Sequence, residues 1–317
     1  MDFLVNNEIK YRENSQSVKG REMLRKFILV YNPVSGDASF KFKLDHVIEN
    51  FQHKGCIVIP FRITNKRDTS EFVLLIQQIP VEGIIVSGGD GTIHKVINIM
   101  LDYNLDLPLG IIPSGTSNDF AAYLQLEKNI DMCVDVVIQG AIKTFDVGKV
   151  NDKYFFNVAS AGLMTSVAHN ADVVLKNMLG KMAYYFKGLG ELPNFKALKM
   201  RITADDHVIE EDVFLFLVMN SGTVGGFPRL VPYAQIDDGK MDLLVVNKCN
   251  LPELMSLFIS FLKGIHYDSK HVTYIQAKKI CIECAEELDS DLDGELGPKL
   301  PLSIEVIPDK IKFFCVS

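Results

Sequence analysis

Residues Gly83 to Met100 constrain the fold of this chain more than any other stretch. Gly83-Ile84-Ile85-Val86 is an apolar run, too short for a helix and rich in β-branched residues, so it reads as a buried strand. It stops at Ser87-Gly88-Gly89-Asp90-Gly91-Thr92, and an apolar helical pattern follows in Ile93, Val96, Ile97 and Met100. Strand, glycine turn, helix is the layout of an anion site. Glycines let backbone N–H groups approach a phosphate, and a helix N-terminus favours negative charge. A carboxylate in such a loop would repel phosphate unless a divalent cation sat between them. The plain alternative is a tight strand-to-helix turn capped by an aspartate.

Other strand-turn-helix units surround this one. Phe27 to Tyr31 reads as a strand ending at Asn32-Pro33-Val34-Ser35-Gly36, with Phe42, Val47, Ile48 and Phe51 following at helical spacing. Cys56 to Ile59 is a strand and Thr69 to Gln78 a helix. Leu109 to Ile112 is another strand, followed by the polar turn Pro113 to Asp119 and a helix opening at Phe120. This alternation predicts a doubly wound α/β domain with a mostly parallel sheet and ligands at the carboxyl ends of its strands. Three of those ends carry polar turns.

The texture changes near residue 145. Val147 to Val150 and Tyr154 to Val158 read as a hairpin, and residues 166 to 192 as helical. Then come short strand-like runs at Leu198, Val213, Met241, Val272, Lys279, Leu302 and Ile311, with one strong helix pattern at Leu251 to Lys263. The expectation is a polar leader (1–26), an α/β domain (27–145) and an antiparallel β-sandwich or barrel (146–317), with the last strand returning to the first domain. A chain of 317 residues has room for two such domains.

Composition narrows the partners. A net charge of −7 argues against nucleic acid, whose phosphates call for a basic surface. No apolar run approaches the length of a membrane span and the start lacks a signal-peptide core, so a cytoplasmic location is expected. Cys56, Cys133, Cys249, Cys281, Cys284 and Cys315 are scattered, which argues against a disulfide framework. Cys281 and Cys284 have a Cys-x-x-Cys spacing without a second pair, in a run that reads as a strand packed in the core.

Asn32-Pro33-x-Ser35-Gly36, Gly88-Gly89-Asp90-Gly91-Thr92 and Pro113-x-Gly115-Thr116-x-Asn118-Asp119-Phe120-Ala121 are far more specific together than singly. With Asp146-Val147-Gly148, Phe156 to Gly162, Gly180-x-x-Ala183-Tyr184, Gly225-Gly226, Pro232-x-Ala234-x-x-Asp237-Asp238-Gly239 and Asp293-Gly294-Glu295, this chain resembles the diacylglycerol kinase catalytic domain family, especially its bacterial soluble lipid kinases. The resemblance runs from Phe27 onward. It implies transfer of the γ-phosphoryl of ATP, with Mg²⁺, to a hydroxyl of a membrane lipid in a cleft between the two domains. It also implies transient peripheral contact with the membrane surface and a homodimer.

By the same resemblance, nucleotide contacts fall on Asn32, Pro33, Val34, Ser35, Gly36, Thr64, Gly88, Gly89, Asp90, Gly91, Thr92, Ile93, His94, Lys95, Thr116, Asn118 and Asp119. Asp90 would hold Mg²⁺ in a network shared with Asp146. Asp238, with the carbonyls of Gln235 and Lys240, would form a structural Mg²⁺ loop, for which the plain alternative is a β-turn. A lipid alcohol loses its proton as it attacks, so a carboxylate is required; Asp293 is expected first and Glu295 second. Without the family, the acidic run Glu286 to Glu295 reads as a solvated loop.

One departure stands out, since the family usually continues its glycine loop with Asn-Glu and here His94-Lys95 take those places. Lys95 would pair with a phosphate or weaken a water network, and His94 reads as a surface helix residue. On the lipid side, Leu254, Leu257, Phe258, Phe261 and Leu262 form an apolar stripe, and Lys176, Lys181, Lys187, Lys196, Lys199 and Arg201 add positive charge. The stripe reads first as core and the cations as a solvated face, with attraction to an anionic leaflet as the alternative. Two rival functions remain: a NAD kinase, which shares Gly-Gly-Asp-Gly-Thr, and a nucleotide-binding regulator without turnover.

Overall fold

In a computed structural model, residues 24–63, 69–126, 128–162, 197–224, 230–263 and 269–316 are described. The first half alternates β1 (Arg25–Tyr31), α1 (Leu44–His53), β2 (Cys56–Arg62), α2 (Thr69–Gln78), β3 (Gly83–Gly88), α3 (Asp90–Asp102), β4 (Leu109–Pro113), α4 (Asp119–Tyr123) and α5 (Ile130–Gln139). Strands β2, β1, β3 and β4 lie side by side and parallel. All six residues of β3 are buried, as a strand covered on both faces requires.

The second half is strand-rich: β5 (Ile142–Val150), β6 (Lys153–Phe155), β7 (Val158–Gly162), β8 (Leu198–Ala204), β9 (His207–Met219), β10 (Met241–Asn247), α6 (Leu251–Lys263), β11 (Val272–Ala277), β12 (Lys279–Cys284), β13 (Asp289–Leu292), β14 (Glu295–Lys299) and β15 (Leu302–Phe314). Its pairings are antiparallel, and β8 alternates buried and exposed positions as a half-covered strand should. The expected two-part architecture, α/β followed by antiparallel β, is therefore present.

Strand β15 joins the halves. Its start pairs antiparallel with β12, it runs along β5, and at Phe313 it meets Leu109 of β4 in parallel. Two stretches that read as separate strands are one, bent by a register shift between Ile307 and Ile311, with Asp309 at a left-handed φ of 51°. An aromatic cluster closes the same seam: Phe120 lies 4.7 Å from Phe156 and 5.0 Å from Phe313, and Phe145 lies 5.5 Å from Phe313. Such pairs contribute about 0.5–1.5 kcal/mol each beyond the area they bury.

Several local expectations change. Phe42 sits on a separate 3-10 turn before α1 and is 80% exposed, because only Val47 and Phe51 of that pattern reach the core. Cys281 points outward from β12 while Ile280 and Ile282 fill the core, so the Cys-x-x-Cys run is a strand but not a packed thiol pair. Leu254, Leu257 and Phe261 of α6 pack with β9 and β10 residues such as Phe214 and Leu244, as a core stripe does. The side chains of Phe258 and Leu262, the helix read at 166–192, and Thr64, Lys176, Gly180, Lys181, Ala183, Tyr184, Lys187, Lys196, Gly225 and Gly226 lie outside the described residues. Among the described residues no helix is long and apolar enough to cross a membrane.

Candidate active site

Three loops at the carboxyl ends of β1, β3 and β4 pack backbone on backbone. Gly89 N–H donates to Ser35 Oγ at 2.9 Å, and Ser114 N–H donates to Gly88 O at 3.0 Å. A Cβ on Gly115 would collide with Gly89 Cα, and one on Gly36 with Ser114 O, so only glycine permits these approaches. Asn32 Nδ2 donates to Thr92 Oγ1 at 3.2 Å, and Asn32 Oδ1 accepts from Val34 N–H at 3.1 Å, shaping the first loop. Val34 and Thr116 are exposed at this rim.

Several of the residues expected at the nucleotide are buried and hold the loops in shape. Ile93 is buried in the α/β core and Pro33 is buried beneath the first loop. Asn118 spends both side-chain atoms on Gly115, accepting at 2.8 Å and donating at 2.9 Å, and is itself 5% exposed. Its φ of 55° is one that asparagine tolerates better than most residues.

Asp90 begins α3 and accepts N–H bonds from Asp119 and Phe120 at 3.2 Å, so it also fastens the start of α4. Burial above all, and then the charge of Asp293, hold its carboxyl above the ordinary 3.8 despite those bonds. A buried carboxylate pressed by a like charge suits a hard divalent cation, but among the described residues no group of three or more His, Cys, Asp or Glu side chains gathers to hold one, so phosphate and water oxygens would have to complete its shell.

Helix α3 presents Asp90, His94 and Asn98 one turn apart, and each is tied to something outside the helix. His94 Nδ1 lies 2.8 Å from Asp293 Oδ2. Asn98 Oδ1 accepts from Tyr154 N–H at 3.2 Å, and its Nδ2 donates to Tyr154 O at 3.1 Å. His94 is therefore not a surface residue; its partner lies 199 positions away, where helix periodicity cannot see it. Asn98 escaped the sequence reading altogether, although its spacing of four from His94 was the available signal.

From Asp289 onward the acidic run is not a loop. Asp289 to Leu292 and Glu295 to Lys299 pair as a hairpin whose turn is Asp293-Gly294, with φ of 54° and 90°. Asp293 has a side chain with no exposure and a full set of partners. Oδ1 accepts from Asn157 N–H (2.9 Å) and Val158 N–H (2.8 Å), and Oδ2 from Phe156 N–H (2.9 Å) besides the His94 contact. A carboxylate offers about four acceptor positions, and here three backbone donors and the His94 ring nitrogen surround them. Glu295, by contrast, is exposed, and a Cβ on Gly91 would sit 2.7 Å from its Oε1.

Asp146 was expected to share the network of Asp90. Its carboxylate instead accepts from Gly239 N–H (2.7 Å) and Asp309 N–H (2.9 Å), and burial, then Asp309 and Asp238, raise its pKa. It clamps the Gln235–Lys240 loop to the bend of β15. Asp238 Oδ1 accepts from Lys240 N–H at 2.9 Å across that loop.

Comparison with known proteins decides the family. A model described as the diacylglycerol kinase catalytic domain matches residues 26–150, and one described as the YegS C-terminal NAD kinase beta sandwich-like domain matches residues 157–315. Diacylglycerol kinase of Bacillus subtilis (strain 168) is 35% identical over 274 residues, covering 86% of this chain and 90% of that protein. The chain belongs to the diacylglycerol kinase family. Diacylglycerol kinase of Staphylococcus saprophyticus is 36% identical over 293 residues, covering 92% of this chain and 96% of its own. A crystal structure from Bacillus anthracis str. Sterne, provisionally assigned as a diacylglycerol kinase, superposes with a TM-score of 0.77 at 28% identity, covering 94% of this chain and 97% of that one. The chain is thus a lipid kinase of the diacylglycerol kinase type, with ATP as the co-substrate that a kinase implies.

Asp291, in the same hairpin, carries a pKa pushed up to about 6, first by burial and then by the charges of Asp293 and Glu295. The unfolded chain releases this proton near 3.8, so the folded protein loses stability as pH rises from about 4 to about 6, and the penalty is complete above that. Asp291→Asn is expected to raise stability by about 1–3 kcal/mol at pH 8 and to change it little at pH 4. Urea unfolding of the nucleotide-free protein at both pH values checks this.

Proposed function

We propose that this chain transfers the γ-phosphoryl group of ATP, with Mg²⁺, to the hydroxyl of diacylglycerol or a closely related membrane lipid. The observation that carries the proposal is the bond between His94 of α3 and Asp293 of the acidic hairpin, which joins the helix opening at Asp90 to the turn that presents Glu295. Phosphoryl transfer asks little covalent work of the protein; it asks for positioning and for offset of charge.

In this reading the loops at Asn32–Gly36, Gly88–Thr92 and Ser114–Thr116, with the N-terminus of α3, cradle the nucleotide phosphates. Asp90 would hold the metal ion, whose charge would offset that of the phosphates. A second ion at Asp238 and the carbonyls of Gln235 and Lys240 would offset the charge that Asp238 and Asp309 place on Asp146. Glu295 ranks before Asp293 as acceptor of the hydroxyl proton, since its carboxylate is exposed while that of Asp293 is filled by donors. Leu296, 54% exposed beside Glu295, offers an apolar group to a lipid acceptor. Contact with a membrane surface follows from such an acceptor and is peripheral.

Labelled ATP with diacylglycerol, phosphatidylglycerol, sphingosine and NAD, in mixed micelles with and without chelator, tests this. Mg²⁺-dependent labelling of a glycerolipid is expected. Labelling of NAD alone, or ATP binding with no labelled product, would overturn it.

A further inference from the structure

We infer that His94 is a positioning residue for phosphoryl transfer, holding the acidic turn against helix α3 by a bond donated from Nδ1. The inference rests on the site reading given above. The His94 side chain is 13% exposed, and Nδ1 lies 2.8 Å from Asp293 Oδ2.

The partner of Nδ1 decides which ring nitrogen carries the proton. Asp293 Oδ2 is a carboxylate oxygen that also takes the Phe156 N–H, and such an oxygen accepts, so the 2.8 Å contact places the proton on Nδ1. Asn98 Nδ2 spends its two hydrogens on Tyr154 O at 3.1 Å and His94 O at 3.0 Å, which holds the turn of α3 that carries the ring.

The partners of Asp293 divide unequally. Phe156, Asn157 and Val158 all come from the β half and fix the carboxylate to that half. Among the hydrogen bonds of Asp293 in the described residues, the one to His94 crosses to the helix that begins at Asp90. With the Asn98–Tyr154 pair one turn along α3, it sets the spacing between Asp90, which would hold the metal, and Glu295, which would take the proton, and it is the contact that reaches the acidic turn itself. Misplacement of reacting groups by about 1 Å costs a transfer reaction about 100-fold, whereas ATP binding depends on loops that His94 does not build.

His94→Leu and His94→Asn separate this role from a merely structural one, because an asparagine amide can donate to Asp293 and a leucine cannot. His94→Leu is expected to lower kcat about 10- to 100-fold with KM for ATP within about 2-fold. His94→Asn is expected to recover most of that loss. Nitrogen-detected NMR of the wild-type imidazole is expected to show the Nδ1–H tautomer, a readout that needs no turnover. Unchanged kcat in His94→Leu, a loss in His94→Asn as deep as in His94→Leu, or an Nε2–H tautomer would each overturn the inference. A wild-type protein that labels no lipid would instead sink the reading on which it rests.

Discussion

Replacing Asp293 by alanine is expected to destabilise the folded protein by about 3–5 kcal/mol as well as to remove lipid phosphorylation. The stability effect arises because the Phe156, Asn157 and Val158 N–H groups all lose their acceptor at a place where the Asp293 side chain has no exposure. The new residue would also keep the left-handed φ of 54°, which aspartate tolerates better than alanine. Thermal unfolding followed by circular dichroism should show a fall in Tm on the order of 10 °C. A Tm within a degree of the wild type would mean that these amides find other partners, and that Asp293 is not the anchor of the turn.

Glu295→Gln should behave in the opposite way. The residue is exposed and its removal leaves no buried donor unmet, so Tm and ATP affinity should stay near wild-type values. The amide cannot accept a proton, and kcat should fall about 10²- to 10⁴-fold, the range of general-base contributions. A steady-state assay against diacylglycerol, beside ATP titration calorimetry, reads both quantities. If Glu295→Gln turns over normally, proton transfer belongs to another group. The contrast between the two variants, one failing in stability and chemistry and the other in chemistry alone, separates the anchor from the acceptor.

The elements themselves were largely open to reading. Thr69 to Gln78 and Lys279 to Cys284 have the bounds their apolar patterns suggest, and β3 stops where its glycines begin. The hairpin around Asp293 was harder to see because its period-2 pattern is written in polar letters. Ser290 and Leu292 point inward while Asp289 and Asp291 alternate with them, so the run looks like a solvated loop. Phe42 misled in the other direction, since an aromatic residue at helical spacing suggested a core face that the 3-10 turn does not provide.

The order of residues determined by itself whatever depends on neighbours within about a dozen positions: strand and helix lengths, the glycine turns, and the change from α/β to antiparallel texture near residue 145. Those features follow from side-chain periodicity and backbone sterics, which are local. Tertiary structure alone decided which polar groups meet. His94 reaches Asp293 across 199 positions, Asp146 turns to Gly239 and Asp309, and Asn98 grips Tyr154. A buried donor or acceptor must be paired, but any of many residues can supply the partner, and only the packed chain selects one.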